Sequence, residues 1–250
     1  MIPLVSAELL KARTTRALPV TAVVLSLFAI AIGVFVGLVA GHNGQPELEA
    51  WMLDDIVRGP VVLAGGGALL LGLLASASEF RHRNIVTTRL AEPRPGRVLA
   101  AKLAALALVG LALGVVVEAV ALVSGMVAIH QAGAAIEPFS HGTPRMFAVG
   151  SLLIALHAVL GVAVGAAVRN LTAAVALSIG WATVVEGVLP LVTRNPNMSF
   201  WLPTGARDAI LDWGAGPAAA LAPAAAAALL VGYAAAIILT AAGLDRVREV

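Results

Sequence analysis

The sequence predicts an all-α membrane protein with six transmembrane helices, and three observations lead to this fold class. The chain has 250 residues, of which 60% are hydrophobic and only 12% are charged, whereas a soluble domain carries about 25% charged residues. Six apolar runs are long enough to cross a bilayer, which takes about 20 residues. Aromatic residues make up only 4%, and no long stretch alternates apolar and polar residues as membrane strands do. The length fits one transmembrane domain covering residues 1–250.

The six predicted spans are residues 17–40, 58–77, 100–129, 146–167, 171–192 and 217–243. The third run is long enough to tilt or to extend beyond the bilayer. The fourth and fifth runs are separated by Arg169 and Asn170 with their neighbours, which predicts a tight helical hairpin turn.

The positive charge predicts the orientation of these spans. Placing both termini in the cytoplasm puts 12 of the 16 Lys and Arg residues on the inner side, as the positive-inside rule requires. High Ala, Gly and Arg usage is typical of a bacterium with GC-rich DNA. We therefore expect a multi-pass protein of the bacterial plasma (inner) membrane.

Two polar stretches outside the spans predict additional short helices. Residues 2–16 mix apolar and basic side chains, which favours an amphipathic helix lying in the inner membrane interface; the alternative is a plain basic flank. Residues 193–216 mix acidic residues with Trp201 and Trp213, and tryptophan often anchors a helix at the membrane surface. This stretch predicts a short re-entrant or surface helix on the outer side, with an ordinary loop as the alternative.

The most informative polar stretch is residues 78–102, between the second and third spans. It concentrates six basic residues, namely Arg81, Arg83, Arg89, Arg94, Arg97 and Lys102. A compact, basic, helix-capable segment on the inner side predicts a binding surface. Its partner is a cytoplasmic protein or, as the alternative, the anionic lipid of the membrane; no nucleic acid partner is expected.

Three ionisable residues lie well inside the spans: Glu118, His157 and Glu186. An ionisable side chain at the bilayer centre costs roughly 2.5–3.5 kcal/mol on insertion scales, so each should face protein or water. They are candidates for a translocation path or gate. The alternative is structural, in which each side chain caps irregular backbone or bonds a neighbouring helix.

Other kinds of site are not expected from this sequence. The chain has no cysteine, which excludes disulfides and thiol chemistry. It contains no nucleotide-binding, metalloprotease or serine-hydrolase motif, so no catalytic residue, metal site or bound cofactor is predicted. Glycines at spacing four, such as Gly33, Gly37 and Gly41, predict close helix packing, although 25 glycines also produce such pairs by chance.

Three stretches of the chain carry a family resemblance. The first is Ser6-Ala7-Glu8-Leu9-Leu10-Lys11 with Arg13 and Arg16, before span one. The second begins with Glu79-Phe80-Arg81 and continues through Leu90, Pro93, Arg97 and Ala101-Lys102. The third runs from Gly161 to Pro203 and includes Arg169-Asn170, Trp181, Glu186 and Leu202-Pro203. In these stretches the chain resembles the permease subunits of ABC-2 type ABC exporters.

The resemblance implies a non-catalytic transmembrane subunit rather than an enzyme. Two permeases, either two copies of this chain or this chain with a paralogous one, would work with two separate ATPase subunits that bind ATP and Mg. The segment between spans two and three would contain a coupling helix, and contact with the ATPase would fall to Glu79, Phe80, Arg81, Arg83, Arg169 and Asn170. Residues 2–16 would be the interfacial connecting helix.

Other functions remain open at this stage. A self-sufficient, proton-coupled transporter would use Glu118, His157 and Glu186, and an assembly protein or a membrane enzyme is a third class. An apolar bundle with few charges suits a hydrophobic drug, peptide or lipid, as in multidrug efflux, better than a sugar or an ion.

Overall fold

The computed structural model describes residues 1–43, 49–81, 90, 92–131, 143–211 and 221–247. All the regular structure in these residues is helical. The α-helices are α1 (Ile2–Thr14), α2 (Ala17–Asn43), α3 (Glu49–Arg81), α4 (Pro95–Gln131), α5 (Thr143–Val168), α6 (Leu171–Gly180), α7 (Glu186–Val192), α8 (Pro203–Ile210) and α9 (Pro223–Val247). A π-helical turn (Trp181–Val185) joins α6 to α7, and a 3-10 helix (Pro196–Trp201) precedes α8.

Within the described ranges, six helical segments are long and apolar enough to cross a membrane. They are Ala17–Val39, Ile56–Phe80, Pro95–Gln131, Thr143–Val168, Leu171–Val192 and Pro223–Leu244. These segments confirm the predicted all-α class and six membrane-length helices at the predicted spans, except that the sixth begins at Pro223: residues 221–222 are not helical, and residues 217–220 lie outside the described residues. At 37 residues, α4 is about 55 Å long, which exceeds the roughly 30 Å hydrocarbon core.

The predicted hairpin turn consists of Arg169 and Asn170, between α5 and α6. Arg169 ends α5 in the left-handed region, with φ 58°, a conformation that helix ends usually assign to glycine. Asn170 is extended and begins α6 by accepting a hydrogen bond from the Ala173 N–H at 3.0 Å. The turn therefore stops one helix and caps the next within two residues.

Contacts divide the chain into two compact units, each built from several helices. One unit contains residues 9–71 and 106–158. In this unit α2 and α4 approach closely at Gly33 and Gly37: a β-carbon added to Gly37 would lie 2.3 Å from Ala128 Cβ. Small residues allow such close contact, which stabilises helix pairs in lipid where the hydrophobic drive is absent. The glycine pattern of the first span thus packs as predicted at these two positions.

The other unit contains residues 1–8, 72–105 and 159–250. It includes the start of α1, the end of α3, the start of α4 and the helices from α6 onward. Tyr233 of α9 donates a hydrogen bond from its hydroxyl to the Trp201 carbonyl at 3.0 Å. This bond ties the 3-10 helix to the last membrane-length helix.

The additional short helices predicted from the sequence fall partly on described residues. Residues 2–14 are helical as α1, and residues between the fifth and sixth spans form the 3-10 helix and α8. Their placement in a membrane interface stays a prediction, taken up under the proposed function. A coupling helix is predicted between the second and third spans; the ends of that segment belong to α3 and α4, and residues 82–89 and 91 lie outside the described residues.

Candidate functional site

A buried ion cluster joins α1, α3 and α4 around Lys102. The Lys102 ammonium donates to Glu8 Oε2 at 2.5 Å, to Glu79 Oε1 at 3.0 Å and to the Ala75 carbonyl at 3.1 Å. All three protons of a lysine ammonium are then used. Each of the three charged side chains is at most 9% exposed, so the cluster is shielded from water and from screening by salt.

This cluster decides where α1 attaches. Glu8 is the buried residue of α1, whereas Ile2 and Leu10 are 82% and 61% exposed. Leu4, Val5 and Leu9 are half-buried, so the fully buried contact that holds α1 is the one that Glu8 makes with Lys102. Removing one member of a buried ion pair costs about 3–5 kcal/mol, because the remaining charge stays buried without compensation.

A second contact in the same unit links α3 to the turn before α6. The Arg169 guanidinium lies 5.0 Å from the centre of the Phe80 ring, within the range of a cation–π interaction. A glycine at position 169 would relieve the left-handed backbone but could not make this contact. Strain of this kind persists where the surrounding structure over-determines it, often at functional sites.

A pocket of about 330 Å³ opens beside this contact. Its lining residues are Phe80, Arg169, Asn170, Leu171 and Thr172. The pocket combines an aromatic ring, a guanidinium and a helix start, and it lies next to the end of α3. The positions Phe80, Arg169 and Asn170, predicted from the family resemblance to touch an ATPase, are thus brought together.

The Glu118 side chain is fully buried, in the unit of residues 9–71 and 106–158. Ser151 of α5 donates its hydroxyl proton to Glu118 Oε2. Oε1 has no hydrogen-bond partner among the described residues and faces Gly150, where an added β-carbon would lie 1.9 Å from it. Gly150 therefore provides the space for the carboxyl group, and Ser151 provides its hydrogen bond.

His157 lies in the same unit, on α5. Its Nδ1 is 2.7 Å from the Leu153 carbonyl, one turn earlier on the helix, and its ring packs against Gly65 of α3, where an added β-carbon would be 3.3 Å away. The bond to the helix's own backbone orients the ring. Glu118 forms no described hydrogen bond or ion pair with His157.

Glu186 is the first residue after the π-helical turn and is 8% exposed. Its Oε2 accepts hydrogen bonds from the Thr204 backbone N–H at 2.8 Å and from the Thr204 hydroxyl. Thr204 stands in the first turn of α8, whose preceding residue Leu202 gives no side-chain cap. The carboxylate therefore caps α8 from another helix, where a negative charge is favourable.

The residues predicted from the sequence thus separate into distinct places. Glu79 and Phe80 lie in the unit that also holds Arg169, Asn170 and Glu186, whereas Glu118 and His157 belong to the other unit. Arg81 ends α3, and its side chain and all of Arg83 lie outside the described residues.

Sequence reasoning missed the role of Lys102 and of its partner Glu8. The sequence pattern presents Lys102 as part of the basic segment and Glu8 as one charge of an amphipathic helix. One signal was available: Lys102 stands between Ala101 and Leu103 at the start of an apolar run, and a lysine at such a position needs a partner. Ser151 and Thr204 were not singled out either, because nothing in the local sequence distinguishes them.

Two comparisons with known proteins found no match for this chain. No protein-family model matches the chain, and no curated protein matches it. Among the described residues, no group of three or more His, Cys, Asp or Glu side chains could hold a metal ion.

Proposed function

We propose that this chain is the permease subunit of an ATP-driven exporter of the ABC-2 type. The observation that carries the proposal is the buried Lys102 cluster. It joins α1 to the two helices that flank residues 82–89, namely α3 and α4. A partner that moves residues 82–89 would therefore move α1 as well. The resemblance in residues 6–16, 79–102 and 161–203 supports the same assignment.

The proposed orientation places both termini and residues 82–89 in the cytoplasm of a bacterium. Six spans put the two ends of a chain on the same side, and 12 of the 16 Lys and Arg residues then lie inside. In this orientation α1 lies at the inner interface, where its exposed Ile2 and Leu10 would contact lipid and its basic residues the headgroups.

The proposed partner is a separate ATPase subunit that binds ATP and Mg. It docks on residues 79–83 and on the pocket beside Phe80, where Arg169 supplies positive charge. Two sets of contacts connect this surface to other helices. Glu79 is connected through Lys102 to α1, and Phe80 is connected through Arg169 to the start of α6. Closure of the ATPase subunits would bias the permease between an inward-open and an outward-open state.

The outer side of the path falls, in this proposal, at Glu186 and residues 193–211. The Glu186 bond to Thr204 holds α8 against the end of the fifth span. That span is the least packed of the six, with 6% of an 18-residue window buried, compared with 44–50% of the corresponding windows in the second, third and fourth spans. A lightly packed helix is well suited to move or to contact a second permease copy or a paralogous permease. The apolar, sparsely charged bundle favours a hydrophobic drug, peptide or lipid as substrate.

One observation favours a second candidate function. Glu118 is fully buried with one oxygen unpartnered among the described residues, and buried carboxyl groups inside membranes often belong to proton relays. A self-sufficient, proton-coupled transporter that uses Glu118, His157 and Glu186 would need no ATPase.

The test is purification of the tagged chain from its native membrane in mild detergent, with identification of the proteins that copurify. The test variant combines Phe80→Ala with Arg81→Glu. The matched control combines Phe147→Ala with Arg145→Glu, the same two substitutions at the start of α5. We expect an ATPase with a Walker motif to copurify with the wild type and the control but not with the test variant.

Two other results contradict the proposal. If no nucleotide-binding protein copurifies with the wild type in any mild detergent, the chain does not work with an ATPase, and the proton-coupled alternative takes its place. If the ATPase copurifies equally with both variants, the docking surface is not at the end of α3.

A further inference from the structure

An apolar groove runs along α2 and α4, within the unit of residues 9–71 and 106–158. Its volume is about 870 Å³. Its walls are branched aliphatic side chains, three from α2 (Ile30, Val34 and Leu38) and three from α4 (Val120, Val123 and Val127). Most of these are 39–60% exposed, so the groove is open along its side.

The close crossing of α2 and α4 builds the floor of this groove. Ser124 of α4 contacts Gly33 of α2, and Ala128 of α4 contacts Gly37. Ser124 and Ala128 also line the groove. The Ser124 hydroxyl donates to the Ala121 carbonyl at 3.0 Å and so offers no proton to a ligand. The groove is therefore apolar at its floor as well as along its walls.

The groove has one polar end. Gln131, the last residue of α4, lines it there, and none of the lining residues that the structure describes is ionisable. The α4 residues that line it run from 119 to 131, a rise of about 18 Å. This pattern matches an uncharged hydrocarbon chain that carries a hydrogen-bonding group at one end.

A second helix fits this surface poorly. Helices pack in membranes through small residues, and the glycines of this surface are already covered: Gly33 and Gly37 by α4, and Gly125 by Ile56. An empty groove would also leave its lining without dispersion contacts.

We propose that the groove is a lipid-binding site that holds one acyl chain of a bilayer phospholipid, with the ester group at Gln131. The chain lies along the valines of α4 and is confined on its other side by the α2 side chains. The proposal needs only the membrane-spanning helices and does not depend on a partner ATPase.

The test is native mass spectrometry of the purified chain, equilibrated in detergent with 1-palmitoyl-2-oleoyl-phosphatidylethanolamine. Val123→Trp places an indole ring in the groove; at 60% exposure the wild-type side chain leaves room for it without disturbing the core. Leu38→Trp fills the groove from the opposite wall. The matched control is Val116→Trp, an exposed valine two turns earlier on α4 that does not line the groove.

We expect the wild type and Val116→Trp to retain one more phospholipid per chain than Val123→Trp and Leu38→Trp. Equal numbers of retained lipids in all four proteins would overturn the proposal. A dimer in the wild type that becomes a monomer in the two groove variants, with lipid retention unchanged, would overturn it too, because the occupant would then be a second copy of the chain.

Discussion

Gly150 should tolerate a methyl group better when Glu118 is absent. A β-carbon added at Gly150 would lie 1.9 Å from Glu118 Oε1, 3.0 Å from its Cδ and 2.7 Å from Val61 Cγ2. Because the carboxyl group fills this space, Gly150→Ala has to displace it and break its hydrogen bond with Ser151.

The expected magnitude follows from three contributions to the free energy of unfolding. Overpacking costs about 1–3 kcal/mol, and an interhelical hydrogen bond in a membrane protein contributes about 0.6–1.7 kcal/mol. Replacing glycine by alanine inside a helix returns about 1 kcal/mol. Gly150→Ala should therefore destabilise the wild type by about 1–3 kcal/mol and destabilise Glu118→Ala by about 1–2 kcal/mol less, because only the 2.7 Å approach to Val61 Cγ2 remains there.

The assay is thermal unfolding in detergent of the four proteins of this cycle, with Gly66→Ala as the control. Gly66 lies inside α3 with no neighbouring atom within 4 Å of an added β-carbon, so it reports helix propensity alone. For a chain of this size, 1 kcal/mol corresponds to about 2–4 °C in Tm. If Gly150→Ala lowers Tm equally with and without Glu118, the carboxyl group does not occupy the space at Gly150 and the reasoning fails.

Three further outcomes follow from the ion cluster, the hairpin turn and the helix cap. Lys102→Met should cost about 3–5 kcal/mol and lower Tm by about 10 °C; a Tm close to the wild type would show that the cluster does not hold α1. Arg194 also has a positive φ, of 51°, and is exposed. Arg194→Gly should therefore raise Tm by more than Arg169→Gly, because the latter variant also loses the cation–π contact with Phe80. Equal shifts in Tm would show that the contact between Arg169 and Phe80 is not stabilising. Glu186→Ala should speed hydrogen exchange of the α8 amides by about 2- to 30-fold, as loss of a helix cap does. Thr204→Val keeps its backbone N–H and should have a smaller effect. Unchanged exchange in both variants would contradict the capping role of Glu186.

The hairpin at Arg169 illustrates what could be predicted from local sequence. An apolar run, two polar residues and a second apolar run leave a short helical hairpin as the arrangement compatible with a bilayer, and the structure places the turn at these two residues. The Phe80 ring under the Arg169 guanidinium could not be anticipated physically, because nothing in either stretch indicates which aromatic ring the arginine will meet.

The three ionisable residues inside the spans show the same division. Their cost in lipid predicted that each faces protein or water, and Glu118 and Glu186 are buried in the protein. Their partners were not predictable: Ser151 is 33 residues from Glu118 and Thr204 is 18 residues from Glu186. Side-chain hydroxyls of this kind occur throughout the chain, and only packing selects one of them.

The sequence by itself determined the helical class and the positions of the membrane-length helices, because apolar length and the need to satisfy backbone hydrogen bonds in lipid are local properties of a segment. Only the tertiary structure determined which groups the charged side chains contact. In the sequence, Lys102 is one of the positive residues of a basic segment. In the structure, its ammonium donates a hydrogen bond to Glu8, which lies 94 residues away. A buried charge is stable only where its partners converge, and that convergence is a property of the packed helices rather than of any stretch of sequence.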